Sequence, residues 1–351
     1  MKTGFLRSLH ERAPIDMQRA SQVLEHFLLK EPIPVHMKNW FYALGATPLT
    51  LFVFQVITGI LLTFYYVPSP ELAYESVRYI SEEARMGFWI RGLHHWGSTL
   101  MVITIFLHMA RVFFTRAYRK PRELNWILGM LLLITTLGLC FTGYSLVYNQ
   151  LSYWATTVGT NMIQEIPLVG PFLVHLLRGG ESVGSNTLTR LFNLHIGILP
   201  TLLFALLVTH ILLIRIHGVA RLEGHEKDEA TYSFYPEHFY HAVIITLMLV
   251  TFMSAMTVIL PPGMGEPANP DVTPNHIKPE WYFFAVYSIL KIVPLRWGIY
   301  FFVAVILATT FWPFLDDLLR NRWPGRRIDY AVGSLTIILF LAFTVYELIV
   351  Y

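Results

Sequence analysis

Residues Arg91–Arg111 read RGLHHWGSTLMVITIFLHMAR, and this stretch decides how the chain folds. Between the two arginines no Asp, Glu, Lys or Arg occurs, and a run of about 20 largely apolar residues is the length of a membrane-spanning helix. Yet His94, His95 and His108 stand inside it. Ionisable side chains in a spanning helix are expensive and mark functional sites by default. A second stretch of the same kind, NLHIGILPTLLFALLVTHILLIR (Asn193–Arg215), carries His195 and His210.

Helical arithmetic pairs these histidines. At about 100° per residue, the 14 steps from His94 to His108 end about 40° short of four full turns, and the 15 steps from His195 to His210 end about 60° past them. Each pair therefore shares a face. His95 to His108 is about 140° off register, which makes His94 the partner of His108. If the two helices run parallel, His94 meets His195 and His108 meets His210, at depths roughly 21 Å apart at 1.5 Å per residue. Two imidazoles meeting across a bundle suit bis-histidine haem iron, whereas zinc wants four ligands or an open position.

Outward from these two helices the same composition continues. Of 351 residues 54% are hydrophobic and 14% charged, against about 25% charged in a soluble domain, which excludes an ordinary water-soluble globule. Spans are expected at 45–67, 96–115, 124–148, 191–214, 240–260, 298–315 and 331–351, making an all-α polytopic membrane protein in which a four-helix haem-binding bundle is followed by three further transmembrane helices. Seven spans put the termini on opposite sides. Lys and Arg number 18 in the N-terminal arm and in the loops on its side of the membrane, and 8 on the other. The excess assigns the N-terminus to the negative (n) side and His94 and His195 to the positive (p) side. Ala20, Val23, Leu24, Phe27 and Leu28 fit a short amphipathic helix stopped by Pro32, and no cleaved leader is expected. The polar stretch from Gly218 to Pro236 divides the chain into modules at 1–217 and 218–351.

Glycines follow the histidine interval. Gly45 and Gly59 in the first span, and Gly129 and Gly143 in the third, are each 14 residues apart, leaving bare backbone at two depths against which a flat macrocycle can pack; close helix approach is the competing use. Arg91 and Arg111, each three residues from an expected ligand, suit haem propionates, with arginines that merely set the topology as the alternative. The single cysteine, Cys140, excludes a disulfide framework, a cysteine-ligated cluster and a Cys-x-x-Cys-His haem attachment; it reads as a small buried residue.

These residues resemble cytochrome b of the quinol-cytochrome c reductases, from about residue 38 to the end. Besides the histidines and glycines, Pro279-Glu280-Trp281-Tyr282 matches the family's quinol-site motif, and Gly143-Tyr144-Ser145-Leu146 with Gln150, Tyr153 and Trp154 matches another. The 15-residue second interval, Lys120 to Leu124, Leu177-Arg178-Gly179 and Thr187 to Arg190 are similar to the chloroplast type, whose four-helix haem subunit and three-helix subunit IV look fused here. The resemblance implies p-side quinol oxidation at Glu280 and Tyr282, one electron passing to a Rieske iron-sulfur protein and the other through two b haems to quinone on the n side, with proton translocation. It further implies a c-type cytochrome partner, a homodimeric complex in the lipid membrane and no nucleic-acid partner. A bacterial inner membrane is the expected location.

Burial suits Glu280 to general-base work on a quinol hydroxyl. On the n side Arg215, His217 and His241 are candidates for binding quinone or delivering protons, with headgroup contact the alternative. Three departures stand out. Val147-Tyr148 replaces the family's Pro-Trp, and the n-side acidic residue of the mitochondrial type maps near Ala242. Ala43 occupies the position where the chloroplast type anchors an extra haem through cysteine, so no covalent haem is expected. Two other readings use intramembrane histidines: the haem-bearing anchor of a dehydrogenase or hydrogenase, and a transporter with a histidine proton relay. Neither accounts for Glu280 and its motif.

Overall fold

The computed structural model describes residues 32–220, 230–275 and 277–350. The amphipathic pattern expected over 20–28 lies outside the described residues, as does part of the polar stretch after Gly218. Strand β1 (Pro32–Pro34) pairs antiparallel with β2 (Thr231–Ser233), which ties the entry of the first span to the connection before the fifth. A 3-10 turn over Trp40–Gly45 leads into α1 (Ala46–Thr63). Then come α2 (Ala73–Glu82), α3 (Gly87–Phe114) and α4 (Glu123–Ser145).

The long connection expected over 149–190 is itself helical. Asn149 caps α5 (Gln150–Gln164) by accepting from the Ser152 amide while Ser152 answers with its hydroxyl, the reciprocal arrangement that satisfies two orphan donors. Helices α6 (Gly170–Arg178) and α7 (Ser185–Asn193) follow. A π turn over Leu194–Ile198 then joins α7 to α8 (Leu199–His217) without a break. After α9 (Phe239–Ile259) the second connection runs through Glu280 into α10 (Phe284–Ile292), then α11 (Leu295–Thr310), α12 (Trp312–Arg322) and α13 (Ile328–Ile349).

Among the described residues six helices are long and apolar enough to cross a membrane, and the α11–α12 pair, bent by 76°, brings the number to seven if it counts as one span. Pro313, in the first turn of α12, lacks the N–H that a helix continuing from α11 would need, so the chain can restart there but not run straight through. The second span begins at Gly87, earlier than the hydropathy of 96–115 implied, and so sets His94 two turns inside a helix. Burial is reversed relative to a water-soluble protein. Ile57, Phe204, Leu247, Met248 and Ile338 point outward, as lipid-facing surfaces do.

Inside, α1 packs along α3, α4 along α8, α9 along α3, and α10 along α13. Leu51, Leu93, Met101, Leu203 and Met253 form the apolar seam where α1, α3, α8 and α9 meet. Polar clasps hold the last three spans to the first four. At the His108 end, Arg116 Nε bonds Asp329 Oδ2 at 2.5 Å, Arg119 Nε bonds Asp316 Oδ2 at 2.9 Å, and the Trp126 indole donates to the Thr309 carbonyl at 2.8 Å. At the His94 end, Trp89 donates to Ser254, and Arg91 to the carbonyls of Pro262 and Gly263.

Candidate functional site

Helix α3 and the π turn that precedes α8 bring His94 and His195 together, with ring centroids 6.2 Å apart and planes at 75°. His108 and His210 lie within electrostatic reach of one another at the other depth. Each of the four rings is backed by one of the four glycines. A Cβ would stand 3.3 Å from His94 Cε1 at Gly59, 3.4 Å from His108 Cε1 at Gly45, 3.8 Å from His210 Cε1 at Gly129 and 2.6 Å from His195 Cε1 at Gly143. Close approach is thus what the glycines supply. It is strict at Gly143, where a methyl would overlap the ring, and loose at Gly129.

The π turn explains how two unequal histidine intervals match equal glycine intervals. Gly129 and Gly143 sit 14 residues apart on the regular helix α4, yet the histidines facing them are 15 apart. Hydrogen bonding from i to i+5 absorbs one extra residue. The turn over Leu194–Ile198 contains His195 itself and removes the 60° overshoot that a continuous α-helix would leave.

Two threonines that sequence reasoning missed set the chemistry of the upper pair. Thr58 Oγ1 lies 2.9 Å from His94 Nδ1, and Thr142 Oγ1 lies 3.1 Å from His195 Nδ1. Each hydroxyl already donates its proton along its own helix, to the carbonyls of Phe54 and Gly138. It therefore accepts from Nδ1–H, and the neutral ring keeps a lone pair on Nε2, the tautomer a metal ligand needs. The signal was in the sequence as a repeated Thr-Gly pair, Thr58-Gly59 and Thr142-Gly143.

The residues fit a bis-imidazole metal group. Two metal–nitrogen bonds of about 2 Å each, plus half the width of each ring, match the 6.2 Å centroid separation. At the other depth Arg111 faces His108, Nη2 to Nδ1 at 3.3 Å, while its buried Nε has no hydrogen-bond partner. A guanidinium with an unmet buried donor suits an anionic group such as a propionate. Arg91 gives its donors to Ser81, Pro262 and Gly263, bracing the loop beside the upper pair. His95 lies against Trp96 and joins neither pair.

Glu280 ends the extended segment before the short turn Trp281–Phe283. Burial, with no ion-pair partner among the described residues, pushes its carboxyl above the usual range. Cys140 and Tyr144 of α4 and the buried Tyr282 surround it within electrostatic reach, and the Tyr282 hydroxyl meets the Cys140 thiol. Cys140, read from sequence as a mere packing residue, thus lines this site. Of the departing pair Val147-Tyr148, Tyr148 is buried edge-on to Tyr153. At the opposite end Arg215 and His217 close α8, and His241 lies in the first turn of α9. Arg122 caps α8 through the carbonyls of His217, Gly218 and Val219, and His217 Nδ1 is buried without a hydrogen bond.

Paired histidines at two depths of a helical bundle and a half-buried carboxylate at one end are the parts a membrane electron-transfer protein would use. Family models described as cytochrome b/b6/petB and cytochrome b (C-terminal)/b6/petD match residues 28–218 and 267–350. The chain is 45% identical over 212 residues to cytochrome b6 of Heliobacterium modesticaldum, covering 60% of this chain and 97% of that one. It is 38% identical over 303 residues to a cytochrome bc complex cytochrome b subunit of Chlorobaculum thiosulfatiphilum, covering 83% and 69%. A chain of a hyperthermophilic respiratory complex III superposes with a TM-score of 0.75 at 26% identity, covering 97% of both. The chain belongs to the cytochrome b/b6 family, the haem-binding, membrane-embedded catalytic subunit of bc-type quinol oxidoreductases.

Proposed function

We propose that this subunit holds two b haems, one between His94 and His195 and one between His108 and His210, that it oxidises quinol beside Glu280 and Tyr282, and that it reduces quinone near Arg215, His217 and His241. The observation that carries this reading is the approach of His94 to His195 with both Nδ1 atoms engaged by threonine hydroxyls. Bound between such rings, haem supplies one-electron carriage from one end of the bundle to the other.

The chain's own residues handle the protons. Glu280 takes a proton from a quinol hydroxyl, its raised pKa bringing it nearer the working range, and Tyr282 orients the ring. Arg111 pairs with a propionate through its unmet Nε. Arg91 stiffens the loop beside the upper site and flanks the other haem. On the far side Arg215 and the two histidines receive the quinone oxygens and return protons. With the N-terminus on the n side, as the Lys and Arg distribution favours, charge crossing against the field stores about 2.3 kcal/mol per 100 mV.

The same reading assigns residues 1–217 to a di-haem module and 218–351 to a subunit IV-like module. It places the chain in a bacterial inner membrane, in a homodimeric complex with a Rieske iron-sulfur protein and a c-type cytochrome. Replacing His108 with Ala tests the ligand assignment, because the two sites share no ligand. Pyridine haemochrome analysis should fall from two haems per chain to one; two remaining haems would refute it. Copurification of a Rieske protein and quinol-driven haem reduction separate this reading from a dehydrogenase anchor or a transporter.

A further inference from the structure

The last helix carries a carboxylate that the mechanism does not use. Glu347 stands two residues from the end of α13 and is fully buried, a costly position for a charge in an apolar span unless it is paired. It is paired, and its partners all come from the segment that carries Glu280. Lys291 Nζ donates to Glu347 Oε1 at 2.6 Å, and the Ser288 hydroxyl donates to Oε2 at 2.9 Å. Ser288 and Lys291 are one turn apart on α10 and so share a face.

A third bond comes from the other side of the quinol motif. Lys278 Nζ donates to the main-chain carbonyl of Glu347 at 3.0 Å. Lys291 also lies over the Tyr287 ring at 4.5 Å, and the Tyr287 hydroxyl donates to the carbonyl of Ile277 at 2.7 Å. The chain between 278 and 288, which contains Glu280 and Tyr282, is thereby pinned at both of its ends to a single residue of the last span.

We propose that Glu347 is a positioning residue for quinol oxidation: held by Lys291 and Ser288 after the motif and by Lys278 before it, it fixes the backbone that aims Glu280 and Tyr282 at the substrate. This rests on the quinol-site reading above. A site that holds its contact groups in place before the substrate arrives binds it more tightly, and a buried pair with two further bonds restrains placement better than apolar packing, which has no directional preference.

The test uses the whole complex in native membranes, with haem content and spectra as the check on assembly. Glu347→Gln keeps an acceptor for Ser288 but strands the Lys291 charge. We expect both haems at full occupancy and the KM for quinol raised about tenfold, with kcat changed less. Glu347→Asp should fall between Gln and wild type, and Glu347→Gln with Lys291→Gln should restore much of the lost affinity. Ser288→Ala preserves the ion pair and gives a measurement even if the Gln variant does not assemble; a KM increase of about threefold is expected. Wild-type KM in assembled Glu347→Gln, or in Ser288→Ala where the former is absent, overturns the positioning role. Glu280→Gln measured alongside separates the two readings. If it too is kinetically silent, the quinol-site reading falls and this inference with it; if it is impaired while Glu347→Gln is silent, the positioning role alone is wrong.

Discussion

Glu280 and Thr142 show how much a single side chain decides. Burial raises the Glu280 carboxyl, which Tyr144, Cys140 and Tyr282 face, with Lys278 the nearest cation along the chain. A base must be ionised to accept a proton, so quinol oxidation should climb as pH rises through this elevated pKa. Removing the carboxylate in Glu280→Gln should lower turnover by about 10²–10⁴-fold and abolish that limb of the pH profile, leaving both haem spectra unchanged. Steady-state turnover between pH 5 and 9 checks it, and an unaltered profile excludes the general-base role. Folding responds with the opposite sign: a carboxyl raised by burial weakens the folded state as pH rises above its unfolded value. Thr142→Val removes the side-chain acceptor that holds His195 Nδ1–H. Partners of this kind are worth about 10–100-fold in metal affinity, so the variant should lose the upper haem preferentially on dilution in detergent, which absorbance after gel filtration reads directly.

Among the elements, the π turn carries the clearest consequence. It absorbs the fifteenth residue between His195 and His210 so that both face glycines 14 apart. Deleting Gly197 should convert the turn to α-helix, give an interval of 14 and preserve both haems. Inserting one alanine between residues 201 and 207 should instead swing one histidine by about 100° and leave a single haem per chain. Equal haem content in the two variants would show that the turn does not set the register. The bent pair of α11 and α12 belongs to the same scale: Pro313 accounts for the break, and hydropathy over 298–315 passes across it unaware.

For the molecule as a whole, the polar clasps between the first four spans and the last three matter more than the chain connection between them. Arg116 with Asp329 and Arg119 with Asp316 are largely buried pairs, and Asp329 is 4% exposed. Residues 1–217 and 218–351 expressed as separate chains should therefore copurify with two haems. Adding Asp329→Asn leaves Arg116 without its main counter-charge, a loss of about 3–5 kcal/mol for a broken buried pair. Recovery of the paired fragments and the apparent Tm of the intact variant should both fall. Unchanged recovery would mean that apolar packing alone joins the halves.

The class of protein was legible in the sequence because it rests on one-dimensional quantities. Apolar run length predicts spans, and periodicity places His94, His108, His195 and His210 on shared faces. The matched intervals singled out Gly45, Gly59, Gly129 and Gly143, and the motif singled out Glu280 and Tyr282. What only the tertiary structure decided depends on distances between helices far apart in the chain. Thr58 and Thr142 are ordinary hydroxyls until a second helix brings an imidazole to each, and Cys140 is a small apolar residue until Tyr282 reaches it. Glu347 is one more carboxylate in the sequence, since no local pattern announces that Ser288 and Lys291, more than fifty residues earlier, will meet it inside the bundle. Local sequence specifies which face of a helix is polar; only the packing of one helix on another specifies what that face touches.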